Sequence, residues 1–108
     1  MKLSKICEEI EYTLLQGSIE TEVRDVIYDS RKIAPETMFV CMVGAVTDGH
    51  KYIPDAIDKG ASVIVLEREE EAAQIPENIT VLKVASARLA LALMSAALFD
   101  HPARKLVT

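Results

Sequence analysis

Residues 38–66 constrain the fold more than any other stretch of the chain. Met38-Phe39-Val40-Cys41-Met42-Val43 is an unbroken apolar run, the composition of a strand covered on both faces, and residues 61–66 (ASVIVL) form a second. Between them, residues 52–59 carry Ile53, Ala56 and Ile57 at helical spacing. Pro54 is tolerated there only in a first turn, and Gly60 is placed to end the helix. A strand, a helix and a second strand in that order make a right-handed βαβ unit with parallel strands. The expected class is therefore α/β: a small, mainly parallel sheet with flanking helices, in which the run 38–43 is the central strand.

The flanking sequence supplies the remaining layers. Ser4 is placed to cap a short helix with Ile6, Ile10 and Leu14 on one stripe, closed by Gly17-Ser18, a lid over the sheet. Residues 22–28, with Val23 and the Val26-Ile27-Tyr28 run, read as a strand that stops at Asp29-Ser30-Arg31. The acidic stretch 67–73 reads as a short exposed helix with a solvated face and no assigned function. Residues 79–84 form another strand. Ser86 then caps a long helix with Ala90, Leu93, Met94, Ala97 and Leu98 on its buried stripe, ended by Asp100-His101-Pro102. Residues 105–108 resemble the start of a further strand.

The composition excludes several functions. A chain of 108 residues, half of them apolar, is one domain able to bury roughly 65% of its unfolded surface. Its 12 basic and 17 acidic side chains give a net charge of −5, which works against binding nucleic acid or anionic lipid. No apolar run approaches the roughly 20 residues of a membrane span, and the opening MKLSKICEEIEY is acidic where a signal peptide is apolar, so the expected location is the cytoplasm. Cys7 and Cys41 have no metal-like or redox-like spacing and read as two reduced, packed thiols. His50 and His101 read as surface residues at helix ends. No phosphate loop, dinucleotide fingerprint, nucleophile elbow or zinc-protease pair is present. The reading includes no catalytic residue and no metal ligand.

Two polar loops remain. In an open parallel sheet, ligands bind beyond the carboxyl ends of the strands, and Tyr28-Asp29-Ser30-Arg31 and residues 44–50 both emerge there if their strands run parallel. Ser30 offers a compact hydroxyl, Arg31 a fork for carboxylate or phosphate, and Asp48-Gly49-His50 backbone N–H groups at a helix start. Such a set can hold a diphosphate with little net charge. Two readings stay open on spacing alone. Asp29-Ser30 and Asp48-Gly49 are also ordinary turn pairs, and Arg31 can instead fasten the loops by pairing with Asp29 or Asp48.

The ordered set Asp29-Ser30-Arg31, Pro35, Met38-Phe39-Val40-Cys41, Gly44, Asp48-Gly49-His50, Ala56-Ile57 and Gly60-Ala61 resembles the N-terminal domain of the Mur ligases of bacterial peptidoglycan synthesis. The likeness runs on through residues 88–105 (RLALALMSAALFDHPARK). It is strongest to the branch that adds the third residue, L-lysine or meso-diaminopimelate, to UDP-N-acetylmuramoyl-L-Ala-D-Glu. The D-alanyl-D-alanine-adding branch is the alternative, and a free-standing protein-interaction module is a second. The resemblance implies that residues 1–108 bind the UDP part of the substrate, while ATP, Mg2+ and the chemistry belong to central and C-terminal domains outside this sequence. Position by position it implies UDP contacts for Ser30, Tyr28, Ala45, Val46 and Thr47, with Asp29, Arg31, Asp48, Gly49 and His50 around them. Ala45 and Val46 replace polar residues of several relatives, and Glu36-Thr37 replaces the usual Gly-Asp, which bears on the turn but not on the strand after it.

Overall fold

The computed structural model describes residues 2–107 apart from Glu9 and residues 43–48, and side chains apart from those of Ser30 and residues 98–107. Among the described residues one sheet holds five strands, β1 (Thr13–Gln16), β2 (Asp25–Ile27), β3 (Thr37–Val40), β4 (Val63–Leu66) and β5 (Thr80–Lys83), in the order β1-β5-β4-β3-β2. β2, β3, β4 and β5 are mutually parallel, and β1 lies antiparallel on β5. The helices are α1 (Leu3–Ile6), α2 (Ile53–Asp58) and α3 (Ala87–Val107).

β3 and β4 are buried at every position because both faces are covered. Side chains alternate across a strand, so Met38 and Val40 of β3 and Val63 and Val65 of β4 face α1 and α3, where Leu3, Ile6, Ala87, Ala90 and Met94 complete one cluster. Phe39, Cys41, Ile64 and Leu66 face the other way, onto Ile53 and Ala56 of α2. The expected α/β class and the βαβ unit are what the chain forms, with Met38 opposite Val63 in the parallel ladder. β4 rather than β3 is the middle strand.

The N-terminal segment differs from the expectation. The helix ends at Ile6, its N-cap is Lys2 rather than Ser4, and Leu14 lies on β1. Tertiary pairing overrides the helical spacing here. Gln16 Nε2 donates to the carbonyls of Pro76 (2.6 Å) and Ile79 (3.0 Å), tying β1 to the loop before β5. Gly17 has φ 83 and lies so close to Thr80 that an added Cβ would sit 2.4 Å from its Oγ1, so this glycine serves strand docking rather than helix closure. At the other end, α3 does not stop at His101-Pro102, and the backbone expected to begin a strand at residue 105 is helical to Val107. Ala103, Arg104, Lys105 and Leu106 are good helix formers, and a helix already established over four turns continues past one missing N–H.

Candidate functional site

The parallel register of β2 on β3, with Ile27 opposite Phe39, sends the chain off both strands at the same edge of the sheet. After β2, Tyr28 is 64% exposed. Asp29 then caps a 3-10 turn, Ser30–Lys32. Its Oδ1 accepts from the Arg31 backbone N–H (3.0 Å) and from Nε (3.1 Å), and its Oδ2 accepts from Nη2 (2.9 Å). The side-chain bond from Arg31 is the main reason the Asp29 carboxyl is held down at about 2, and the same bond raises Arg31. Arg31 thus pairs with Asp29, one of the two partners open to it in the sequence, while the other, Asp48, lies outside the described residues. The Arg31 side chain remains 87% exposed, so the outer side of the fork still faces solvent. The 3-10 turn starts at Ser30, whose side chain is outside the described residues.

After β3 the Cys41 N–H donates to Val65 O (2.8 Å), and Gly49 N–H donates to Met42 O at 2.6 Å. The chain thus departs and returns at one point. A Cβ on Gly49 would lie 2.6 Å from the Met42 nitrogen, so only glycine permits this approach. Ala45, Val46, Thr47 and Asp48 lie outside the described residues. From Gly49 the chain makes a 3-10 segment, Gly49–Tyr52, that leads into α2. Because β2 and β3 run parallel, this segment and residues 28–32 both lie at the carboxyl edge of the sheet, and Tyr52 packs, half-buried, against the core beneath α2. Lys51 Nζ stands 5.1 Å from the centre of the Tyr52 ring, adding a cation and an aromatic that sequence reasoning did not single out.

His50 is not a surface residue. It is 2% exposed, and its Nε2 accepts the Glu67 N–H at 3.1 Å, just beyond β4. Glu67 in turn accepts the Ala87 N–H through Oε2 (2.6 Å), while Ser86 Oγ accepts from Leu89 N–H (3.3 Å). Ser86 therefore caps α3 as expected. The carboxylate of Glu67 occupies the positive end of that helix, which leaves no anion site there. Within the acidic stretch the expected solvated face holds at the exposed residues 68–70, while Ala72 packs on the core and Glu67 is half-buried. Its signal was position: it follows directly on an apolar strand, at the carboxyl edge.

On the far side of β4, a cleft of about 270 Å³ is lined by Glu11, Tyr12, Thr13, Lys83, Val84 and Ala85. Cys7 and Cys41 are buried free thiols, and burial pushes Cys7 up to about 11. Among the described residues no group of three or more His, Cys, Asp or Glu could hold a metal ion, and no helix is long and apolar enough to cross a membrane.

Residues 22–101 match the Mur ligase family, catalytic domain. The chain is 40% identical over 106 residues to the UDP-N-acetylmuramoyl-L-alanyl-D-glutamate–2,6-diaminopimelate ligase of Clostridium tetani, a match covering 98% of this chain and 22% of that protein. It is 41% identical to ligase 1 of the same name from Clostridium acetobutylicum, over 98% of this chain and 21% of that protein. Among solved structures, the UDP-N-acetylmuramoylalanyl-D-glutamyl-2,6-diaminopimelate–D-alanyl-D-alanyl ligase from Acinetobacter baumannii is similar with a TM-score of 0.73 at 25% identity, over 89% of this chain and 21% of that one. The chain spans about a fifth of the length of the relatives it matches.

Proposed function

The chain belongs to the Mur ligase family, and from that premise we propose that residues 1–108 are a UDP-binding N-terminal domain of a ligase that extends the peptidoglycan stem peptide. The substrate is UDP-N-acetylmuramoyl-L-Ala-D-Glu and the residue added is meso-diaminopimelate or L-lysine, the former being the amino acid in the names of the 40% and 41% identical relatives. The observation that carries the proposal is the parallel β2–β3 register, which brings Tyr28 to Arg31 and Gly49 to Tyr52 to one edge. A ligand lying beyond the carboxyl ends of these strands meets both segments.

In this reading Ser30 donates its hydroxyl to the uridine diphosphate, Tyr28 lies against the nucleoside, and Ala45, Val46 and Thr47 line it through backbone and apolar contact. Asp29 spends its charge on Arg31 and holds the turn, Gly49 and His50 hold the second segment, and Asp48 is assigned beside the UDP group with Thr47. ATP and Mg2+ do not fit the residues present: the sequence lacks a phosphate loop, and the described residues offer no metal cluster. We assign both to the central and C-terminal domains of a longer chain acting in the cytoplasm. What this domain contributes is binding energy at the far end of the substrate, which positions the reacting carboxylate elsewhere. The fold likeness to the D-alanyl-D-alanyl ligase is compatible with the other branch, but its 25% identity ranks below the 40% of the tripeptide-forming relatives.

Ser30→Ala in the full-length ligase tests the assignment. Loss of one hydrogen bond to a charged group raises KM for the UDP substrate about tenfold and leaves kcat nearly unchanged. Unchanged KM and kcat reduce Ser30 to a turn residue.

A further inference from the structure

We infer that His50 is a positioning residue for this nucleotide edge, a role that rests on the UDP reading above. Its side chain is 2% exposed, so it does its work inside the protein rather than on a ligand. It sits between two anchors of the returning chain. Gly49, one residue earlier, is held against Met42 by a 2.6 Å backbone hydrogen bond, and Tyr52, two residues later, packs half-buried against the core cluster beneath α2. The imidazole adds a third anchor, because Nε2 takes the Glu67 N–H immediately beyond β4. Glu67 extends the chain of contacts through its carboxylate to the Ala87 N–H, the first residue of α3. The ends of β3 and β4 and the helix that follows β5 are thereby joined through two side chains, the His50 imidazole and the Glu67 carboxylate.

The chemistry required at position 50 is specific. The contact needs an acceptor lone pair at the reach of Nε2, which a neutral imidazole supplies only with its proton on Nδ1. A ring of similar size without nitrogen fills the space but leaves a partly buried N–H unpaired, and the returning chain loses its tie to β4. Glutamine places a carbonyl oxygen at nearly the same reach. The acceptor, not the ring, is thus the property that sets the edge.

The wild type and two variants of this chain separate the possibilities. In the wild type, imidazole 15N spectra should show an unprotonated Nε2 and a protonated Nδ1 for His50, with the Glu67 amide protected from exchange. His50→Phe should fold, release the Glu67 amide to exchange about tenfold faster, and weaken UDP binding about tenfold, whereas His50→Gln should restore both to within about twofold. A proton on Nε2 in the wild type overturns the inference without any variant, which covers the case of a His50→Phe protein that does not fold. Wild-type UDP affinity in His50→Phe, or a glutamine variant as impaired as phenylalanine, also overturns it. A wild-type chain that binds no UDP at millimolar concentration overturns the UDP reading itself, and the positioning role with it.

Discussion

At the scale of single residues, Glu36 is held in a conformation that suits another amino acid. Its φ is 66, the left-handed region, and its backbone cannot relax: the Arg24 N–H donates to its carbonyl (2.8 Å) and its own N–H donates to Gly60 O (3.2 Å). The Mur ligase pattern has glycine at this position. Glu36→Gly should therefore stabilise the domain by about 1 kcal/mol, the left-handed penalty outweighing the extra chain freedom of glycine. The thermal midpoint should rise by about 4–8 °C, and a fall would show that the Glu36 side chain contributes more than the strain removes. Asp29 carries a pH prediction. Its folded value, about 2, lies below the ordinary value of 3.8, so the stability it contributes is present above about 4 and is lost as pH falls through about 2. The carboxyl carbon resonance of Asp29 should titrate near 2; a midpoint near 4 would mean that the Arg31 pair is not formed in solution.

At the scale of elements, the sequence is legible where burial is two-sided. β3, α2, β4 and β5 were readable because a strand covered on both faces leaves a continuous apolar run and a helix leaves a period of 3.6. β1 was not readable. It is an edge strand whose burial comes from Gln16 and Gly17 meeting distant partners, and Ile6, Ile10 and Leu14 happen to repeat at helical spacing. The end of α3 was misplaced because proline was weighed above the helix formers around it. The start of α3 was readable from Ser86, but its second partner, Glu67, was hidden in a charge run. Ser86→Ala should cost about 1 kcal/mol by chemical denaturation. A change within a few tenths would mean that Glu67 alone satisfies the first turn.

At the scale of the whole molecule, the candidate site lies along the carboxyl edge of the parallel strands. Four parallel strands end together, and the segments after β2 and β3, neighbours at one side of the sheet, leave from the same edge. That shared edge was legible in the sequence on the condition that the two strands run parallel, as the β2–β3 ladder does. The buried position of His50 was not legible, because it depends on Glu67, distant in sequence, and the cation over the Tyr52 ring was not, because Lys51 and Tyr52 meet through their side-chain conformations rather than through any sequence spacing. The central claim is that this edge holds a uridine diphosphate, and an amide chemical-shift map of the labelled chain titrated with UDP tests it most directly. Shifts confined to Tyr28 through Lys32 and to the segment from Ala45 through Tyr52 are the predicted result. No shifts at millimolar UDP, or shifts centred instead on Tyr12, Thr13, Lys83 and Ala85 in the cleft beyond β4, would contradict it.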